Sequence, residues 1–150
     1  MGVGAGESNG GRIMITEQIR SWMSLGRVSN LPTVVTNILV GTAVAASLGG
    51  EPSMTAVVVL SIGVALLYVG GMALNDLCDQ RRDEHLGVPR PLVTGAISPG
   101  SAVLGVVVAF GAAMAILLTA ATGISAILAT VLLATILLYN RTHRRFTGVA

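Results

Sequence analysis

The stretch PLVTGAISPGSAVLGVVVAFGAAMAILLTAATGISAILATVLLATILLYN, residues 91–140, runs for 50 positions without a charged side chain. A bilayer-spanning helix needs about 20 largely apolar residues, so this run is long enough for two. Two shorter charge-free runs precede it, residues 28–50 and 52–75, and each is long enough for one. The sequence therefore predicts an all-α, multi-pass transmembrane helical bundle of four spans, near residues 31–48, 53–75, 100–120 and 124–140. Composition points the same way, with 53% hydrophobic and only 11% charged residues, against roughly 25% charged in a water-soluble domain. Small residues such as Gly63, Gly70, Gly71, Gly105 and Gly111 suit close helix packing in lipid.

All nine basic residues are arginines, and none interrupts a run. Arg12, Arg20 and Arg27 precede the first span, Arg81, Arg82 and Arg90 follow the second, and Arg141, Arg144 and Arg145 follow the fourth. In a four-span chain these flanks share one side, and cytoplasmic flanks collect the basic residues. A cell-membrane protein with both termini in the cytoplasm is expected. The arginines lie apart without interleaved aromatics, which speaks against a nucleic-acid surface. A single cysteine, Cys78, excludes an internal disulfide. Residues 1–14 read as a flexible tail and lack the basic-then-apolar order of a cleaved signal. Residues 15–27, with Ile15, Ile19, Trp22 and Met23 toward one side, read as an amphipathic interfacial helix. The transmembrane domain then fills 28–140, with a cytoplasmic motif loop at 76–98 and a basic cytoplasmic tail at 141–150.

Four of the seven acidic residues fall in Asn75-Asp76-Leu77-Cys78-Asp79-Gln80-Arg81-Arg82-Asp83-Glu84. On a helix continuing through this segment, Asn75, Asp79 and Asp83 would share one broad face, with Asp76 at its edge. Like charges at that spacing repel, so a cation is expected among them. Carboxylates and a carboxamide are hard oxygen donors of the kind Mg²⁺ takes alongside water and a phosphorylated substrate. Asn75, Asp76, Asp79 and Asp83 are thus the candidate metal ligands, and the three aspartates the candidate catalytic residues. Arg81, Arg82 and Arg90 carry planar donor forks that match diphosphate oxygens. A polar head could be held at the interface while its hydrocarbon tail lies between helices, the shape of a polyprenyl diphosphate. The plainer alternative is a charged juxtamembrane loop whose acids and arginines pair with one another. Asn30 and Tyr139 are further candidates for substrate contact; the alternative for Tyr139 is an aromatic interface anchor. His85 has no second histidine at ligand spacing and reads as a loop residue.

At Asn75, Asp76, Asp79 and Asp83, and again at Arg90, Pro91, Gly95, Ile97 and Ser98, the chain resembles the UbiA superfamily of intramembrane prenyltransferases. The first set corresponds to the family's first aspartate-rich motif and the second to its R-P-x-x-x-G-x-I-S segment. The resemblance spans about residues 20–140, including Arg27-Val28-Ser29-Asn30-Leu31-Pro32 and Gly70-Gly71-Met72-Ala73-Leu74. It implies Mg²⁺-dependent ionisation of a polyprenyl diphosphate and capture of the prenyl group by a hydrophobic, aromatic acceptor within membrane lipids. Family members supply a second aspartate-rich cluster from a C-terminal half, whereas the last acidic residue here is Glu84. The resemblance is to the N-terminal half only. The expectation is a truncated or partner-requiring half, completed by a second chain that carries the missing half or by a homodimer. A CDP-alcohol phosphotransferase is disfavoured because residues 76–98 lack its D-G-x-x-A-R element. A non-catalytic remnant or small four-helix membrane protein is the alternative; Glu51 in a turn is a poor coupling residue for a small transporter.

Overall fold

The computed structural model describes residues 7–120 and 124–146, with side chains over 14–119 and 124–142. Helix α1 covers Glu7–Leu25, a short 3-10 turn Val28–Asn30, α2 Leu31–Ser47, α3 Met54–His85, α4 Pro99–Ala120 and α5 Ile124–Phe146. Four stretches are long and apolar enough to cross a bilayer: Val28–Ser47, Met54–His85, Pro99–Thr119 and Ile124–Thr142. The fold is an all-α bundle of four membrane-spanning helices.

Local chemistry sets the helix ends. A proline stands in the first turn of α2, where its missing N–H costs least. Ser53 caps α3 by accepting the Ala56 N–H at 3.1 Å. No glycine or proline interrupts residues 72–86, so α3 continues past Asn75 to His85 and carries the whole acidic segment on helix. Arg82 and His85 in its last turn suit the negative end of the helix dipole. The stop is a Schellman motif: the Val88 N–H donates to the Asp83 carbonyl at 2.9 Å and the Gly87 N–H to that of Glu84 at 3.2 Å. Gly87 supplies the left-handed conformation this needs, at φ 65°.

Helix α3 is the centre of the bundle, packed antiparallel against α4. The Gly63 backbone lies against Leu117, and Gly70 against Phe110. Leu67, Ala113, Leu117 and Ala129 join α3, α4 and α5 in one core cluster, and Leu25, Ala73, Leu92, Ile97, Ala102 and Val106 form a second nearer the acidic segment. Trp22 packs against this second cluster, its ring over Gly105, and ties α1 to α4. Helix α2 buries none of its residues. Many large apolar side chains face outward, Leu39, Val44, Val107 and Leu128 among them. In lipid that exposure is not penalised, and association rests on close packing at small residues.

Gly63→Ala is therefore expected to destabilise the bundle by about 1–3 kcal/mol through overpacking. A Cβ there would lie 2.6 Å from Leu117 Cγ and Cδ2, and Leu117 is itself buried. Thermal unfolding in detergent, followed by far-ultraviolet circular dichroism, would show a lowered midpoint that Leu117→Ala partly restores. An unchanged midpoint would mean that Leu117 moves aside freely.

Candidate functional site

The last three turns of α3 carry two separate polar strips. Asp76 and Asp83, seven residues apart, share an inward strip and are 3% and 6% exposed. Asn75 and Asp79, four apart, share a neighbouring half-buried strip, and the Asn75 Nδ2 donates to Asp79 Oδ2 at 3.1 Å. Gln80 donates to Glu84 at 2.9 Å further round, and Arg81 and Arg82 are exposed. The broad face expected for Asn75, Asp79 and Asp83 is thus half-buried at Asn75 and Asp79 and buried on the side where Asp83 and Asp76 lie.

Two arginines from outside α3 hold the inward pair. After the Schellman turn the chain doubles back, and the Thr94 and Val93 N–H groups close a turn on the Arg90 carbonyl at 2.9 Å. Arg90 then reaches both acids: its Nη1 donates to Asp76 Oδ1 at 2.7 Å, and its Nε lies 2.8 Å from Asp83 Oδ2. The second contact is a close ion pair without hydrogen-bond alignment. Arg27 approaches from the other side, with Nη2 3.4 Å from Asp76 Oδ1. Its backbone is left-handed, φ 45° and ψ 47°, a conformation that costs a non-glycine residue about 1–3 kcal/mol. The contacts around it hold that conformation: Leu25 is fully buried, Gly26 lies against Val69, and the Asn30 N–H donates to the Arg27 carbonyl at 2.9 Å. Beside the acids a cavity of about 600 Å³ is lined by Met23, Arg27, Ser29, Asp76, Arg90 and Pro91.

The remaining candidates lie further along the bundle. Asn30 donates to the Tyr68 hydroxyl at 3.1 Å. Spacing in the sequence did not single out Tyr68; its signal was a polar aromatic inside an apolar span, two turns before the acidic segment. On α5, Tyr139 is 56% exposed, while its neighbour Asn140 is 5% exposed.

Among the described residues, no three acidic, histidine or cysteine side chains stand together as a metal site. The four expected ligands are not gathered, because Asp76 and Asp83 are turned to arginines. Asp79 and Asn75 remain, and Asn75 uses its nitrogen on Asp79, leaving its oxygen for another partner. Mg²⁺ commonly takes one or two carboxylates and completes its shell with water and substrate phosphate. The donor chemistry of Asn75 and Asp79 fits a hydrated Mg²⁺ that takes further ligands from elsewhere, not an ion caged by the described residues alone.

The profile of the UbiA prenyltransferase family matches residues 34–149. Among curated relatives, a 4-hydroxybenzoate octaprenyltransferase of Pseudomonas fluorescens is 37% identical over 71 residues, 46% of this chain and 24% of that protein. The protein of the same name from Saccharophagus degradans is 40% identical over 57 residues, 37% of this chain and 19% of its own length. That of Acinetobacter baylyi is 35% identical over 71 residues, 46% of this chain and 24% of its own. The matched stretch thus spans a quarter or less of each of these relatives. No solved structure matches the chain.

Proposed function

The chain belongs to the UbiA prenyltransferase family, and on that premise we propose that it serves the transfer of a prenyl group from a polyprenyl diphosphate to a hydrophobic, aromatic acceptor. The observation that carries this reading is the Asn75–Asp79 oxygen pair beside an arginine-clamped acid pair at the end of a membrane-spanning helix. Bound Mg²⁺ would supply positive charge to the diphosphate as the carbon–oxygen bond breaks and its electron pair leaves with the diphosphate. A ring carbon of the acceptor then bonds to the allylic carbon and releases a proton. Asn75 and Asp79 hold the cation. Asp76 and Asp83 act as positioning residues that set Arg90 and Arg27, and the exposed Arg81 and Arg82 meet the diphosphate from the water side. The arginine distribution supports a cytoplasmic position for this end of the bundle and for both termini. Two oxygens leave most of an Mg²⁺ shell to other donors, so a second acidic cluster from outside these residues would complete the site.

The test is Mg²⁺-dependent binding of a fluorescent prenyl diphosphate to the purified chain in lipid nanodiscs. Saturable binding that disappears with a chelator is expected; binding indifferent to chelation would sink the cation assignment. A non-catalytic four-helix membrane protein is the second reading. It is favoured by Arg90 and Arg27 already neutralising Asp76 and Asp83, and it predicts no binding under either condition.

A further inference from the structure

Asn140 is buried on α5, and its Oδ1 has no hydrogen-bonding partner among the described residues. Its Nδ2 donates to the Ile136 carbonyl at 2.9 Å, which fixes the amide's orientation, since a reversed amide would set two oxygens against each other. A buried carbonyl left without a donor or cation is destabilising, and such groups are rare in folded proteins.

Helix register locates that oxygen. Ala129 on α5 and Val64 on α3 line the same apolar cavity. Further along, Ile136 Cγ2 lies 3.3 Å from where a Cβ on Gly71 would stand. Residue numbers rise together on the two helices, so α5 runs parallel to α3 and keeps one register. Four residues on along each helix is about one turn on the same face. That step carries Ile136 to Asn140 and Gly71 to Asn75, which puts the two asparagines at matching levels of α5 and α3, one turn beyond the glycine contact.

We propose that Asn140 is a further oxygen donor to the hydrated divalent cation held at Asn75 and Asp79. The inference rests on the cation site under Proposed function and adds a residue from a different helix. It also gives the unpartnered Oδ1 a use: a carbonyl kept free of protein donors is available to a metal ion or to one of its waters. Tyr139, its neighbour in the chain, is more than half exposed.

The experiment titrates the full chain in detergent with Mn²⁺ in the presence of inorganic pyrophosphate, counting free Mn²⁺ by electron paramagnetic resonance. Asn140→Leu should weaken Mn²⁺ binding about tenfold while leaving the thermal midpoint at or above that of the parent, because it removes an unpartnered carbonyl. Asn140→Asp should bind Mn²⁺ at least as tightly as the parent. Parent-like affinity in the leucine variant, with binding lost in Asp79→Asn, would overturn the role of Asn140 and leave the site itself standing. Affinity unchanged in Asp79→Asn as well would overturn both. Should the leucine variant fail to fold, the aspartate variant decides, since weaker binding there contradicts an oxygen-donor role.

Discussion

Arg90→Leu is expected to destabilise the protein by about 3 kcal/mol, the low end of the range for removing one partner of a buried ion pair. One guanidinium serves two carboxylates, through Nη1 to Asp76 and Nε to Asp83. Removing it strands both acids in the protein interior at once. Arg27 cannot take over: it reaches only Asp76, at 3.4 Å, and 38% of its side chain is exposed. The low end of the range applies because Arg90 is itself 31% exposed, so water can reach part of the vacated site. Arg90→Lys should fall between parent and leucine variant, since a single ammonium lacks the fork that spans two acids. The diagnostic comparison adds Asp76→Asn and Asp83→Asn to Arg90→Leu. Neutral amides no longer need a counter-ion, so the triple variant should recover much of the loss. Unfolding midpoints of the four proteins, measured in one detergent, check this. A leucine variant as stable as the parent would mean that both acids find other partners.

The charge-free runs made the four spans legible because lipid demands length and apolarity, and both are written residue by residue. The division of labour among the acids was not. Spacing put Asn75, Asp79 and Asp83 together as like charges in want of a cation, but it could not show that the chain supplies part of that cation itself. Arg90 returns to Asp83 only because Gly87 turns the backbone, and Arg27 meets Asp76 across 49 positions of sequence. Such contacts follow from how helices are placed and leave no periodic trace. That Asn140 is the residue buried at this end of α5 was not legible for a related reason. Consecutive helical residues differ by about 100° in direction, and in a soluble protein a polar face would show which one turns inward. A helix bathed in lipid is apolar nearly all round, so only its seat against Gly71 reveals that Asn140 faces the bundle.

Asp79→Asn is expected to weaken Mg²⁺-dependent binding of a prenyl diphosphate about 100-fold, the upper range for altering a metal site, with stability held within about 0.5 kcal/mol. Both halves follow from where Asp79 stands. It is half-buried, and the described partner of its carboxylate is the Asn75 amide, which an asparagine carbonyl can still satisfy. Among the described residues no arginine pairs with it, so its charge stays available to a bound cation. Asp83→Asn should behave in the opposite way. It leaves Arg90 Nε beside a neutral group, lowers stability, and weakens binding only as far as Arg90 drifts. The contrast separates the two readings of the acidic segment. If all the acids served only to hold the chain together, loss of binding would track loss of stability, and Asp83→Asn would be the more damaging change by both measures. If Asp79 is the cation ligand, the two measures part company at residue 79, and they do so without any need for the chain to complete a catalytic cycle.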